Sequence, residues 1–312
     1  MKIDIILCTY NPRMDYLERT LKSIEGQLFQ GEGIEVQFSL VDNNSPADAV
    51  KKLKEVCASR QIHYLHETEQ GLVHARICGL RNTQGELVVW VDDDTVLDGN
   101  FIRHALEIYR TKPFLGAWGG NVHLELEKPV RSEIRPYLAL LTENKVEIEE
   151  WSNFRNCTPV AGAGLCVRRE VGERYVQNYE SSPMRKLLGR SAQNLFSGED
   201  WDFCLTAAEM GLGVGRMPQL SLTHLIPERR TTEDYLLKIA EGHKFSGQIV
   251  LAIRQRPLIR ENFRRKILGL RLRGLIKPSF AKRILIAELR GLEKGLEFVQ
   301  KHFTGLTATE KS

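Results

Sequence analysis

The chain has 312 residues and a formal net charge of +4, with the apolar and charged fractions of an ordinary soluble protein, 42% and 27%. That length carries one large domain or two smaller ones. Its six cysteines, Cys8, Cys57, Cys78, Cys157, Cys166 and Cys204, form no C-x-x-C pair, which excludes a zinc ribbon or redox motif and suits a reducing cytosol. The stretch from Met1 to Cys8 is too short for a signal peptide and is broken by Asp4. No window approaches the ~20 apolar residues that span a bilayer.

In chain order, Ile3 to Cys8 reads as a strand, followed by the turn Thr9-Tyr-Asn-Pro. Asp15 to Phe29 reads as a helix, because Leu17, Leu21, Ile24 and Leu28 recur at three- and four-residue steps. A second strand, Glu35 to Val41, ends on the turn-forming run Asp42-Asn-Asn-Ser-Pro. A helix over Ala47 to Ser59, a strand over Ile62 to Leu65 and a helix over Gly71 to Asn82 lead to the apolar run Val88 to Val91. That run stops on Asp92, Asp93 and Asp94. β-Branched and aromatic residues without charge fit a strand covered on both faces. Three adjacent acids repel one another unless a cation neutralises them, and oxygen ligands of this kind suit Mg²⁺ or Mn²⁺.

The alternation predicts an α/β fold, a mainly parallel, Rossmann-like sheet flanked by helices. Open sheets of this kind hold ligands at the carboxyl ends of their strands, where Asp42 and the three aspartates stand. No G-x-G-x-x-G or G-x-x-x-x-G-K-[ST] follows a strand, so dehydrogenase and P-loop readings lose their phosphate cradles. Further on, Phe101 to Tyr109 reads as a helix and Phe114 to Leu124 as a strand with Trp118-Gly-Gly inside it. Lys128 to Asn156 has no clean period. Small residues at 161–164 precede a strand ending on two arginines. Ser197-Gly-Glu-Asp-Trp-Asp opens a helix over Phe203 to Met210, and its acids suit a helix start. Gly213 to Met217 and Leu220 to Leu225 read as short strands, the second carrying His224 and leading to Arg229 and Arg230.

Beyond residue 231 the chain changes character. Thr232 to Ile253 and Phe280 to Phe303 read as helices, and Thr304 to Ser312 as a frayed tail. From Arg254 to His302 there are 14 lysines and arginines against 4 glutamates, a net +10 that leaves the rest at −6. Apolar positions 259, 263, 267 and 270 alternate with these cations, the pattern of a helix lying on an anionic membrane or of a solvated basic face packed on the catalytic domain. No nucleic-acid module is recognisable, so no nucleic-acid partner is expected. The expected division is a catalytic domain over 1–231 and a basic helical module over 232–312.

Taken together, Thr9-Tyr-Asn, Val41-Asp-Asn-Asn-Ser, Gln70-Gly-Leu-Val-His-Ala-Arg76, Val91-Asp-Asp-Asp, Gly162-Ala-Gly and Gly198-Glu-Asp resemble, in this order, the family 2 glycosyltransferases with their GT-A fold. The resemblance spans roughly residues 1 to 230. It implies metal-dependent, inverting transfer from a nucleoside-diphosphate sugar, UDP above the others, to a hydroxyl of a glycan or lipid-linked glycan. Thr9 and Asp42 would hold the base, and Arg76 and Asp93 would contact the nucleotide. Asp92 would reach the ribose or the metal, with Asp94 and His224 as metal ligands. Asp200 would be the general base, and Arg229 and Arg230 would close over the diphosphate. Gly162 would line the donor, and Gly164, Glu199 and Trp201 the acceptor. One such base, with no separate carboxylate beneath the sugar, means inversion. The implied cofactor is Mn²⁺ or Mg²⁺, and the implied location is cytoplasmic, peripheral at the inner face of the membrane. The alternatives are a nucleotidyltransferase, which lacks its usual Gly-rich phosphate loop here, and a catalytically inactive nucleotide- or glycan-binding scaffold.

Overall fold

The computed structural model describes residues 1–27, 33–153, 160–189, 197–260, 262–272 and 279–303. The expected tail from Thr304 and the helix end at Phe29 lie outside them. The chain forms two compact units. The first comprises Met1–Glu127, Thr142–Ser182 and Glu199–Ile226, and the second Lys128–Leu141, Pro183–Gly198 and Pro227–Ser312. The division is therefore not a single cut at 231, since two internal segments join the C-terminal part. Side-chain ties explain why. Glu233 accepts hydrogen bonds from both Arg131 and Arg283, and the Tyr137 ring meets Phe280 edge-on at 5.1 Å. Such long-range pairs leave no periodic trace in a sequence.

In the first unit, β1 (Lys2–Thr9), β2 (Glu35–Asp42), β3 (His63–His66) and β4 (Leu87–Asp92) are parallel, in the order β3-β2-β1-β4. They are linked by α1 (Met14–Glu25), α2 (Ala47–Arg60) and α3 (Leu72–Arg81). Beyond β4 the sheet continues through β8 (Cys166–Arg168), β6 (Leu115–Leu126), β9 (Gly213–Ile226) and β5 (Thr95–Leu97), with β7 (Glu150–Ser152) also paired to β9. Here the sheet is mixed rather than mainly parallel. β8 runs antiparallel to both β4 and β6, β6 is parallel to β9, and β5 is antiparallel to β9. The two short strands expected at 213–217 and 220–225 are one strand. Its register against β6 jumps between Gly119 and Asn121, so a bulge absorbs the extra residues instead of a break.

The central strands are buried on both faces, which accounts for the uninterrupted apolar run before Asp92. On one face Ile3, Ile5 and Leu7 pack with Leu17, Leu21 and Ile24 of α1 and with Ile102 and Leu106 of α4 (Phe101–Thr111). On the other, Trp90 lies 6.0 Å from Phe203 of α6 (Glu199–Glu209), which stacks at 3.6 Å on Tyr175 of α5 (Arg169–Ser181). Helix α5 was not anticipated. Its buried stripe of Val171, Tyr175 and Tyr179 sits among eight polar or charged neighbours that mask the period.

In the second unit, Thr232 caps α7 (Glu233–Ile253), its hydroxyl accepting from Tyr235 N–H at 3.4 Å. α9 (Phe280–His302) lies against α7 so closely that a Cβ at Gly295 would stand 2.9 Å from the Phe245 carbonyl oxygen. Phe263 and Ile267 of α8 (Phe263–Leu272) are buried with Ile286, Leu289 and Leu292 of α9. Part of the stripe, expected to face either a membrane or the catalytic domain, is thus internal to the second unit, because α9 supplies an apolar partner face. Ile259 and Leu268 remain exposed. No helix among the described residues is long and apolar enough to cross a membrane.

Candidate active site

Four strand ends converge on the carboxyl edge of the sheet. Thr9, Asp42 and His66, the last residues of β1, β2 and β3, are register partners in a row, and Asp92 closes β4 beside Cys8. Thr9 donates its hydroxyl to the Asp93 carboxylate, and Thr20 of α1 donates to the Asp93 carbonyl at 3.2 Å. Both bonds secure the aspartate turn to its neighbours. Asp42 is wholly buried. It accepts from Ser45 N–H at 3.1 Å and from the Tyr64 hydroxyl at 2.8 Å, and His66 Nδ1 stands 3.4 Å away. Burial, and then the bond to Asp42, push the Tyr64 phenol well above its ordinary range.

Arg76, from α3, is the buried cation of the site. Its guanidinium stands 3.8 Å from Asp92 and 3.5 Å from Glu199, and 5.5 Å from the centre of the Trp90 ring. Its two terminal nitrogens make no hydrogen bond among the described residues. Burial alone would lower its proton affinity, but the carboxylates of Glu199 and Asp92 outweigh that and hold it above the usual arginine value. Cys8 lies beside it, and burial pushes its thiol far up, so it is neutral. Gly162 explains itself here, since a Cβ would fall 2.5 Å from Arg76 Nη2.

The Gly162 N–H donates to Asp200 Oδ2 at 3.2 Å, and Trp201 N–H donates to Asp200 Oδ1 at 2.8 Å. Asp200 is thereby oriented on both oxygens in the first turn of α6 while remaining partly exposed. On the far side of the aspartate turn, Asp94 Oδ2 lies 3.3 Å from His224 Nε2, and Thr142 faces the other ring nitrogen at 3.5 Å. The pairing of β5 with β9 does this by placing Thr95 opposite His224, while the Asp94 carbonyl accepts from Leu225 N–H at 2.8 Å.

The structure thus brings together Thr9, Arg76, Asp92, Asp93, Asp94, Gly162, Glu199, Asp200 and His224. Two expected acceptor residues, Glu199 and Gly164, are turned inward. Glu199 is buried against Arg76, because its place at the helix start aims it inward. Gly164 faces the core, where a Cβ would meet Leu222 at 2.5 Å. Trp201 is half-buried. Arg229 and Arg230 belong to the second unit, where the Arg230 guanidinium lies 6.0 Å from the Tyr235 ring. Tyr64, His66 and Thr142 were missed; the strand expected over 62–65 stopped one residue short of His66.

No group of three or more His, Cys, Asp or Glu among the described residues forms a ready metal cage. The pair Asp94 and His224 offers one oxygen and one nitrogen, and the aspartates and Glu199 outnumber Arg76. That suits Mg²⁺ or Mn²⁺, which are held by one or two protein ligands with substrate phosphates completing the shell.

A mixed sheet of this order, flanked by helices, is the GT-A fold. Residues 4–158 match the family model described as Glycosyl transferase family 2, so the chain carries a glycosyltransferase domain of that kind. It is 24% identical over 249 residues to the succinoglycan biosynthesis protein ExoM of Rhizobium meliloti, covering 76% of this chain and 71% of that one. Two solved structures are similar. One is the mannosyltransferase PcManGT from Pyrobaculum calidifontis in complex with GDP-Man and Mn²⁺, with a TM-score of 0.50 and 18% identity over 95% of this chain and 86% of that one. The other is GalNAc-T7 with UDP, GalNAc and Mn²⁺, with a TM-score of 0.53 and 11% identity over 98% of this chain and 58% of that one. At such identities the likeness is one of fold.

Proposed function

We propose that the chain transfers a sugar, with inversion, from a nucleoside-diphosphate sugar, with uridine favoured, to a hydroxyl of a glycan or lipid-linked glycan during polysaccharide assembly. The observation that carries this is the placement of Asp200. It is held by Gly162 and Trp201 N–H groups in the same cluster as Asp92, at the edge where Asp94 and His224 meet. The kinship with ExoM supports the polysaccharide context, and the nucleotides and Mn²⁺ in PcManGT and GalNAc-T7 support the donor class.

Asp94 and His224 would hold Mn²⁺ or Mg²⁺, which when bound offsets the charge of the leaving diphosphate. The acceptor oxygen bonds to the anomeric carbon as the bond from that carbon to the diphosphate oxygen breaks, and the nucleoside diphosphate leaves with the electron pair. Asp200 takes the proton of the acceptor hydroxyl, a contribution of about 10² to 10⁴ in rate. Attack from the side opposite the leaving group inverts the centre. Arg76 holds Asp92 and Glu199 in place. In the second unit the exposed Ile259 and Leu268 beside Arg260, Arg265 and Lys266 support attachment to an anionic membrane, at its cytoplasmic face.

The test pairs binding with turnover. Asp200→Asn should keep nucleotide binding, read as a thermal shift with UDP and Mn²⁺, and lose sugar transfer by at least about a hundredfold. Full transfer by Asp200→Asn removes the mechanism. A wild-type protein stabilised by none of UDP, dTDP or GDP, with either metal, removes the donor class.

A further inference from the structure

The amino edge of the sheet carries an aromatic pair remote from the site of transfer. β8 runs antiparallel to both β4 and β6, so β4 and β6 point the same way, and β9 is parallel to β6. Phe114, just before β6, and Gly213, the first residue of β9, therefore stand at the end of the sheet away from Asp92 and His224. Trp151 of β7 pairs in register with Gly215, and the nine residues from 215 to 224 span about 30 Å of strand. The Trp151 and Phe114 rings lie 4.7 Å apart, centre to centre, tilted by 48°. Their surroundings hold them in place. A Cβ at Gly213 would stand 3.0 Å from Trp151 Cε3, so the indole rests on backbone that only glycine leaves bare. The Gly213 N–H donates to the Phe114 carbonyl at 2.7 Å and fixes the turn that carries the second ring. Two residues before each ring, Lys112 Nζ pairs with Glu149 at 2.8 Å. Yet Trp151 is 51% exposed and Phe114 41%. Two large rings held in place and left half in water mark a binding surface.

We propose that Trp151 and Phe114 form a platform for a neutral glycan, at a site separate from that of transfer. This rests on reading the chain as one that works on glycans. A pyranose has a face of C–H groups that packs on an aromatic ring, and a rim of hydroxyls that donate and accept. The two rings receive the face, Lys112 supplies donors and Glu149 acceptors. Lys112 and Glu149 neutralise each other, and Glu150, next along the strand, is paired with Arg216 at 2.5 Å. The charges flanking the rings are thus balanced and favour neither an ionic partner nor an anionic membrane. A second copy of the chain is also disfavoured, because two half-exposed rings bury far less than the roughly 800 Å² per partner of a stable interface. Some 30 Å from His224 along β9, the platform holds sugars already joined, several units away from the one being transferred. Held there, an acceptor chain stays on the enzyme between additions, since its free end meets the site of transfer as a tethered partner.

Affinity electrophoresis of the full chain in native gels tests this, with laminarin, dextran or galactomannan as neutral polysaccharides and alginate as an acidic one. At least one neutral polysaccharide should retard the wild type. Trp151→Ala and Phe114→Ala should each weaken that binding by about threefold to tenfold, the effect of losing one stacked ring. Trp151→Tyr, which keeps an aromatic face, should stay within about twofold of the wild type. The thermal shift with UDP and Mn²⁺ should be the same in all of these variants, which separates loss of the platform from loss of the fold. Should Trp151→Ala fail to fold, Phe114→Ala and Trp151→Tyr decide the matter. A wild type retarded by none of the neutral polysaccharides, or by alginate alone, overturns the proposal, and so does undiminished retardation of both alanine variants. A wild type that is retarded but shows no thermal shift with any nucleotide and metal keeps the platform and removes the transfer reading beneath it.

Discussion

Replacing Arg76 with methionine removes a guanidinium that stands between Asp92 and Glu199. The two carboxylates are not equally affected. Asp92 is a third exposed and can be solvated by water, whereas Glu199 is 6% exposed and would stay buried without this counter-charge. Breaking a buried pair from one side costs roughly 3–5 kcal/mol, a large part of a total stability on the order of 5–15 kcal/mol. At about 2–4 °C per kcal/mol for a unit of this size, the melting temperature should fall by about 6–20 °C. The deficit should depend on pH. In the variant, burial favours the neutral Glu199 carboxyl, so its folded-state pKa rises above the unfolded value of about 4.3. Such a group supports the fold below its unfolded pKa and loses that support as pH rises through the folded one. The deficit is therefore greatest at neutral pH and narrows toward pH 5. Urea unfolding at pH 5 and 7.5 measures it. In the double variant Arg76→Met with Glu199→Gln, the two effects should fall short of additive by more than about 1 kcal/mol. A deficit that is independent of pH, or single effects that simply add, would refute the assignment of Arg76 as the counter-ion of Glu199.

Asp94→Asn and His224→Gln should each abolish the difference between Mn²⁺ and EDTA in UDP-induced thermal stabilisation, which for the wild type is about 2.7 kcal/mol at a hundredfold excess over Kd; an unchanged difference in both would place the metal elsewhere. Gly162→Ala puts a methyl 2.5 Å from Arg76 Nη2, so it should destabilise by about 1–3 kcal/mol and, by disturbing the N–H bond to Asp200, lower turnover more than nucleotide affinity. In the second unit, Ile267→Asp buries a charge between α8 and α9 and should lower the melting temperature, whereas Leu268→Asp, on the exposed side, should leave stability within about 0.5 kcal/mol. Leu268→Asp should instead reduce flotation with anionic liposomes, and unchanged flotation would argue against a membrane face there.

The N-terminal half of the site was legible because its residues act where the local chain puts them. An apolar run ending in acids announces a buried strand with carboxylates at its exit, and Asp42, Asp92 and Asp94 stand at or just beyond such exits. The ordered motifs carried the family, and the helix-start position of Asp200 carried its place on α6. What could not be read was partnership. Glu199 and Asp200 are neighbours in sequence, yet one turns inward to Arg76 and the other outward to Gly162, and only the packing of α6 against α3 and β4 decides which. His66 lay one residue past the strand expected over 62–65, and only its register with Asp42 placed it beside a buried carboxylate. The amphipathic stripe of α8 was read correctly as amphipathic and not as to partner, because periodicity states that a face is apolar without naming what covers it.

By itself, then, the sequence determined the parallel half of the sheet, the acids at its edge and the family. Each depends on interactions between near neighbours, on strand and helix periods, or on motifs of a few residues. The tertiary structure alone decided the mixed half of the sheet, the assembly of the second unit from three separated segments, and the charge pairs of the site. Those arise from contacts between residues far apart in the chain, whose side chains acquire partners only when the sheet and helices have packed.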